Sequence, residues 1–415
     1  MQTKFAAKRV GTLNKFFTKV SVGEVLVQHI PDSDPLRVVD LGAGEGSLSQ
    51  AAVRRWPNVE VVTVDVDVSS ASALHENLRQ AGCVRHRHYV LDALDPSLST
   101  RLLNEHGQFD IAVCNPPFFN PTWNGDHADI LGLGAIEDAC GSATEATAEL
   151  LFIAQSLAML KGNGRLAVIV PDSIVTTSRA YRFRQSLLRN HSVETVIQLP
   201  INSFLETDAQ CFIIILRKGD GPTEKLKLLN VGADQSLSDP LEISRLGAEG
   251  RMDFSFHSQR CERSEKHTSL RELGAEVFRG SISTVQRKMA DFPVFHTSDY
   301  KSVVGGKIEL PVFGKLPDIA KIVAEPGDIL MARVDRNLHE KIGIVASGSA
   351  AITDCVYRVR IPPQNRIVAY RALCSDLGRT NLKALTKGVG ARIVGKADLL
   401  DMPLTVVDNQ LLSAK

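Results

Sequence analysis

The chain has 415 residues, of which 44% are hydrophobic and 23% charged, with a formal net charge of +1. That length exceeds what one hydrophobic core usually serves, so two domains are expected. With no apolar run of about 18 residues and no signal-like start, neither a membrane span nor export is expected. The seven cysteines, an odd number without a Cys-x-x-Cys pair, give no disulfide framework and no zinc pattern, and fit a cytoplasmic protein without a metal site.

In chain order, the first 20 residues carry five Lys or Arg and no acid, which suits contact with a phosphate backbone. Arg37 to Asp40 reads as a short buried strand entering the turn Leu41-Gly42-Ala43-Gly44-Glu45-Gly46, with a helix from Ser47. Glycines at such a turn allow positive φ and close approach of the backbone to a ligand at a helix start. A dinucleotide site is the rival reading. The spacing is Gly-x-Gly-x-Gly rather than Gly-x-Gly-x-x-Gly, and Asp40 precedes it where a phosphate site avoids negative charge and a cationic ligand favours it. Val59 to Val64 is a second strand ending in Asp65, placed to accept from ribose hydroxyls. Tyr89-Val90-Leu91 is a third, ending in Asp92.

Asp110 to Cys114 is a fourth strand, and Asn115, Pro116, Pro117 and Phe118 follow it directly. An exocyclic amine is a poor nucleophile because its lone pair is delocalised into the ring. An Asn side-chain oxygen and the carbonyl of the next Pro can each accept one N–H, turning the lone pair toward a methyl donor. The prolines stiffen that backbone before substrate arrives, and Phe118 offers a face for a base. Pro121 to Leu150 then holds six acids and no Lys or Arg, and reads as an insertion acting as a mobile lid or partner-contact loop. Arg165 to Val170 is a fifth strand before Pro171, and Glu194 to Leu199 and Gln210 to Leu216 are two more. A series of strand ends with glycine turns or acids fits ligand binding at the carboxyl ends of an open α/β sheet.

On these residues the chain resembles the class I S-adenosylmethionine-dependent amino-methyltransferases in gamma-type motif order, and within them the bacterial DNA N6-adenine methyltransferases, over roughly residues 10 to 220. The resemblance implies a Rossmann-like seven-stranded sheet with helices on both faces and S-adenosyl-L-methionine as cofactor. It implies that Phe17 and Thr18 form an N-terminal cofactor motif, that Asp40, Gly42, Gly44 and Gly46 form the glycine motif, that Asp65 meets the ribose and Asp92 the adenine of the cofactor. Phe152 is implied beside that adenine, and Phe204, in the polar stretch from Asn202 to Gln210, is implied to sandwich a flipped base with Phe118. Methyl transfer then proceeds in line, without metal or covalent intermediate, and the absence of a Pro-Cys nucleophile argues against a cytosine-C5 enzyme.

Residues 221–278 are polar and read as an irregular connector. Residues 279–415 hold 20 Lys plus Arg and 13 Asp plus Glu, a net of +7, which leaves −6 for the rest. A basic second domain beside a base-modifying one suits a polyanion. Here Pro326 to Arg333, Lys341 to Val345 and Thr353 to Ile361 read as strand, hairpin and strand, in a smaller mixed α/β or β-rich domain. The stretch resembles the target-recognition domains of type I restriction specificity subunits, which implies that Arg333, Arg336, His339 and Lys341 lie on loops facing base edges.

The expected function is site-specific methylation of adenine N6 in double-stranded DNA, related to a restriction-modification system. A cognate restriction endonuclease or a second subunit is the expected class of protein partner, and monomer and homodimer both remain open. Three alternatives stay open: an RNA amino-methyltransferase, a cytosine-N4 enzyme, and a DNA-binding modification subunit active only with a partner.

Overall fold

The computed structural model describes residues 20–31, 34–142, 146–201, 203–204, 210–219, 221–261, 267–314, 316–387 and 391–405. Phe17 and Thr18 therefore lie outside the described residues. The chain divides into two compact units, Met1–Phe254 and Ser255–Lys415.

In the first unit, helices and strands alternate: α1 (Val20–Gln28), β1 (Arg37–Leu41), α2 (Ser47–Arg55), β2 (Glu60–Asp65), α3 (Ala71–Gln80), β3 (Arg85–Val90), α4 (Leu98–His106) and β4 (Phe109–Cys114). There follow α5 (Asp126–Leu133), α6 (Ala148–Met159), β5 (Leu160–Pro171), α7 (Asp172–Thr176), α8 (Tyr181–Asn190), β6 (Ser192–Gln198), β7 (Cys211–Arg217), β8 (Lys225–Asn230), β9 (Leu241–Ser244) and α9 (Arg245–Gly250). The strands form one sheet in the order β3-β2-β1-β4-β5-β7-β6-β8-β9. The first five run parallel, and β7 pairs antiparallel with both β5 and β6. Central strands of such a sheet are covered on both faces and read as continuous apolar runs. Accordingly Val38, Val39, Val61, Val62, Ile111 and Ala112 are all fully buried.

Two sequence expectations are corrected here. The seven expected strands are present, and the sheet extends to nine because the segment 221–278 is not wholly an irregular connector: β8 adds parallel to β6 and β9 antiparallel to β8. Those strands are short and half polar, with exposed and buried residues alternating in β8, which hides them from a search for apolar runs. Nor are the described residues of 121–150, expected to act as a mobile lid or partner-contact loop, simply a loop: they include α5 and the start of α6. Ile130, Leu131 and Ile136 are buried in the same core cluster as α6, and a Cβ at Gly134 would lie 2.5 Å from the Ala154 Cα. Asp126, Asp129, Glu137 and Asp138 are exposed on a helical layer that packs tightly on α6, whereas Glu149 is buried within α6.

The second unit is built from short strands, beginning with β10 (His267–Ser269), β11 (Glu276–Arg279), β12 (Val294–Phe295), β13 (Lys307–Glu309) and β14 (Val323–Ala324), and continuing with β15 (Ile329–Ala332), β16 (Val334–Asp335), β17 (Ile342–Ser347), β18 (Ala350–Ile352) and β19 (Val356–Arg360). A five-stranded sheet has the order β11-β19-β15-β17-β13, formed by Glu276–Arg279, Val356–Arg360, Ile329–Ala332, Ile342–Ser347 and Lys307–Glu309. A smaller sheet joins β12 (Val294–Phe295), β18 (Ala350–Ile352) and β14 (Val323–Ala324). Helices α10 (Pro363–Cys374) and α11 (Asp376–Leu385) bury Ala369, Leu373, Leu382 and Leu385 against the larger sheet's apolar residues. The strand, hairpin and strand read at 326–361 are β15, β17 and β19, which lie side by side.

The buried Arg184 on α8 bonds four carbonyls, those of Glu249, Gly250, Ile174 and Thr177, at 2.7–3.0 Å. Arg184→Met keeps the apolar stem and leaves those acceptors unpaired. It should lower the unfolding free energy of the first unit by about 3 kcal/mol, read as a lower urea midpoint at unchanged slope; a shift within error would show that the carbonyls find other donors.

Candidate active site

β1 and β4 are neighbours, yet the chain runs outward from β1 to β2 and β3 on one side and from β4 to β5 on the other. This is the topological switch point of the sheet, where an open α/β fold leaves a crevice at the strand ends. The register pairs Leu41 with Cys114, so the glycine turn and the Asn-Pro-Pro-Phe quartet leave the sheet side by side. A cavity of about 610 Å³ opens there.

The glycine turn is shaped by backbone bonds. The amides of Gly42 and Ala43 donate to the Val64 carbonyl at 2.8 and 3.1 Å, and the Gly46 amide donates to the Ala43 carbonyl at 2.8 Å. Gly42 and Gly46 adopt φ of +72° and +86°, a region that suits glycine. A Cβ at Gly42 would also stand 3.1 Å from the Phe152 ring and 3.9 Å from the Asn115 carbonyl oxygen. At Gly44 the same direction is open space, and its amide donates to Asp65 Oδ2 at 2.7 Å.

Of the residues singled out in the sequence, Asp40, Gly42, Gly44, Asp65 and Asp92 line this cavity. So do Asn115, Pro116, Pro117 and Phe152. Gly46 instead caps the start of α2, where a Cβ would press on Leu74 at 3.0 Å. Phe118 and Phe204 do not line the cavity. Phe204 is 3% exposed and belongs to a core cluster on which Phe118 also packs. The polar neighbours of Phe204 gave no sign of that burial.

Asp40 is buried, and its Oδ2 accepts the Ser49 hydroxyl at 2.6 Å. Its Oδ1 is buried with no hydrogen-bond partner among the described residues. Burial pushes this carboxyl up to about 7 against the Ser49 bond, with the Asp65 charge adding to the rise. Asp65 accepts from Gly44 and, through Oδ1, from the Asp67 amide at 2.8 Å; each oxygen keeps a second acceptor site for a hydroxyl. Asp92 Oδ1 accepts from the Leu94 amide at 2.9 Å. Among the described residues the cavity lining contains acids but no Lys or Arg. That donor set opposes a phosphate and suits a cation bearing hydroxyls and an amine, so the residues fit S-adenosylmethionine.

Other lining residues were missed in the sequence. Phe119, Asn120, Pro121 and Thr122 continue the wall beyond the quartet, with the Ala148 amide donating to the Phe119 carbonyl at 2.9 Å. Asp67 and Ser69 also line it, and Asp67 Oδ1 accepts from the Ser69 amide and hydroxyl at 3.0 and 2.7 Å. The available signal was the Asp-x-Ser spacing of a helix cap after the second strand.

In the second unit, Arg333, Arg336, His339 and Lys341 lie at or between β15 and β17. Arg333 Nε donates to the Asp354 carbonyl at 2.6 Å. Lys341 Nζ bonds Asp335 Oδ2 at 2.6 Å and the Thr297 carbonyl at 3.2 Å. His339 is half-buried, and burial holds its imidazole below the ordinary range. Of the four, Arg336 is the exposed one. Among the described residues no cluster of His, Cys, Asp and Glu is arranged to hold a metal, and no helix is long and apolar enough to cross a membrane.

Comparison with known proteins agrees with this geometry. The chain is 25% identical over 221 residues to the "Type I restriction enzyme MpnII methylase subunit" of Mycoplasma pneumoniae, covering 49% of this chain and 40% of that protein. It is 28% identical over 137 residues to the "tRNA1(Val) (adenine(37)-N6)-methyltransferase" of Shewanella sediminis, covering 31% of this chain and 56% of that one. The chain thus spans about half the length of these curated relatives. Among solved structures, the type IIG restriction endonuclease BpuSI shares the fold over 94% of this chain and 59% of its own, at a TM-score of 0.51 and 12% identity. The family model of the N-6 DNA methylases matches residues 1–242, a span that ends within β9, and on that match the chain belongs to the N-6 DNA methylase family.

Proposed function

We propose that this chain transfers the methyl group of S-adenosylmethionine to N6 of an adenine rotated out of double-stranded DNA. The observation that carries the reading is that Asn115 and Pro116 line the same cavity as the glycine turn, Asp65 and Asp92. The cofactor supplies an electrophilic methyl on a sulfonium cation. Asp40 and the acid-lined wall favour that positive charge, Asp65 takes the ribose hydroxyls, Asp92 the adenine amine, and Phe152 packs beside the ring. Asn115 Oδ1 and the Pro116 carbonyl accept the two N–H bonds of the target amine, concentrating its lone pair toward the methyl carbon. Pro117 holds that carbonyl in place. Phe118 gives the extruded base a stacking face, and Phe204 gives the second once it leaves its buried position.

The second unit is the proposed target reader, with boundaries at 255–415 rather than 279–415. Residues 255–278 hold four basic and four acidic residues, so its net charge stays +7. Arg336 is the proposed direct contact to DNA, with Arg333, His339 and Lys341 shaping its loop. A restriction nuclease or a further subunit is the proposed partner, after the name borne by the Mycoplasma relative. A second reading, methylation of an RNA adenine, is favoured by the likeness to the Shewanella tRNA enzyme.

Incubation with labelled S-adenosylmethionine and either unmethylated duplex DNA or total RNA, followed by nucleoside mass spectrometry, separates these readings. Label is expected as N6-methyladenine in DNA, and Asn115→Ala should cut the rate by about a hundredfold or more; label in RNA alone would move the substrate to the second reading.

Ionised Asp40 is the form that meets a cation, and its carboxyl is pushed up to about 7. The dissociation constant for S-adenosylmethionine should therefore fall as pH rises from about 6 to about 8, and Asp40→Asn should flatten that profile. Without ligand the sign reverses: a raised carboxyl contributes stability present below about pH 4 and lost by about pH 7. Calorimetric titration across this range checks the first statement, and an affinity indifferent to pH in the parent protein would detach Asp40 from the bound cation.

Arg336→Ala should weaken duplex binding by about tenfold in fluorescence anisotropy, with a shallower salt dependence if the contact is to phosphate and a changed sequence preference if it is to a base. An unchanged affinity would remove this loop from the interface.

A further inference from the structure

The second unit has a cavity of its own, of about 500 Å³, within the range of about 300–1,000 Å³ usual for small-molecule sites. Its walls combine the rings of Tyr300 and Tyr370 with Val303 and Ile342, and Lys301, Lys341 and Arg379 bring positive charge to it. We propose that this cavity binds one nucleoside 5′-phosphate unit, with the base against the tyrosines and the phosphate on Lys301 and Arg379. For a unit carried in a DNA strand, the inference rests on the reading of the second unit as a DNA reader.

The Tyr370 hydroxyl donates to the Gly306 carbonyl at 3.1 Å, fixing its ring against the Gly305–Gly306 turn. Both glycines adopt positive φ, and a Cβ at Gly305 would meet nothing within 4 Å, so a ligand can approach the backbone there. Tyr300 packs edge to face on Phe295 with ring centroids 5.1 Å apart. Its hydroxyl is buried without a hydrogen-bond partner among the described residues, an unmet donor beside the cavity.

The cations differ in availability. Lys341 is neutralised by Asp335 at 2.6 Å. Arg379 is aimed by bonds from Nε to the Cys374 carbonyl and from Nη1 to the His339 carbonyl, at 3.0 and 3.2 Å, which leaves Nη2 for an anion. Lys301 is exposed and has no ion-pair partner among the described residues. Glu340 also lines the cavity and can accept from a base amine or a sugar hydroxyl. Flat aromatic faces beside a fixed guanidinium and a free ammonium match a base and a phosphate together, as at single-stranded nucleic-acid sites.

The test is equilibrium dialysis of labelled dCMP against the full chain, with excess S-adenosylhomocysteine to fill the first unit's cavity. One saturable site is expected, weakened about tenfold by Lys301→Ala and similarly by loss of the phosphate in deoxycytidine. Tyr370→Leu should weaken it as well, with a melting curve to show that the chain still folds; Lys301 is on the surface, so its variant carries the test alone if Tyr370→Leu unfolds. No saturable binding, or binding indifferent to Lys301→Ala, overturns the proposal. Displacement of dCMP by single-stranded or duplex DNA assigns the unit to a strand, and displacement by free nucleotides alone assigns it to a soluble nucleotide. Duplex binding without dCMP binding sinks this site while the DNA reading stands, whereas dCMP binding without any DNA binding keeps the site and sinks that reading.

Discussion

The parallel pairing of β1 with β4 is the constraint on which the site depends. Because Leu41 lies opposite Cys114, the backbone turns that follow leave the sheet at one level, and a one-residue slip would move every side chain of β4 to the other face. That register is pinned at the far end of the strands. Asp110 Oδ2 accepts from the Leu36 and Arg37 amides at 2.9 and 2.8 Å, while its Oδ1 takes Lys161 Nζ at 2.5 Å. One carboxylate thus ties the entry of β1 and of β5 to β4. Phe152 completes the fit at the other end, since its ring fills the space a side chain at Gly42 would need.

Charge is sorted along the chain with the same economy. The cavity of the first unit gathers Asp40, Asp65, Asp67 and Asp92, and residues 1–254 carry −6 against +7 for 255–415. An acid-lined cavity stands in repulsion with a phosphate backbone, so this cavity by itself is a poor place to hold DNA and a good one to hold a cation. In the proposed reading the basic second unit supplies the attraction that the first lacks. The histidines of β3 fit this electrostatic picture without joining the chemistry. His86 and His88 both meet the Thr63 hydroxyl at 2.9 Å, and burial first, with the neighbouring His75 charge second, holds both below their ordinary range.

What could be read in the sequence follows from how each part is buried. β1, β2, β4 and β5 are covered on both faces, so their β-branched runs stand out, and the motifs at the ends of β1, β2 and β4 fall on the cavity wall. β3 is an edge strand whose exposed and half-buried residues alternate, which is why only its last residues showed an apolar run. Phe204 was legible as an aromatic in a polar stretch, but its burial depends on Leu199, Cys211 and other residues gathered from distant elements. The second unit was the least legible. Its sheets pair strands far apart in sequence, such as Arg279 with Tyr357 and Val294 with Ala351, and strands of two to six residues carry too little periodicity to declare a partner.

The position of the domain boundary has a physical reason that a reading of motifs does not contain. The last recognisable strand motif ends near residue 217, and a polar stretch follows, yet the unit closes only at Phe254. β6 would otherwise present a free edge, which β8 covers by parallel pairing from Thr195 to Gln198. The chain then returns to α8 and α7, where the fully buried Arg184 gathers the carbonyls of 249–250, of Ile174 in α7 and of Thr177 just after it. A guanidinium taken out of water is costly unless its donors are met, and these carbonyls come from both sides of residue 220. Arg184 can therefore be satisfied only when the segment after β7 is folded into the first unit, which makes the seven-stranded part of the sheet and its polar extension one cooperative body.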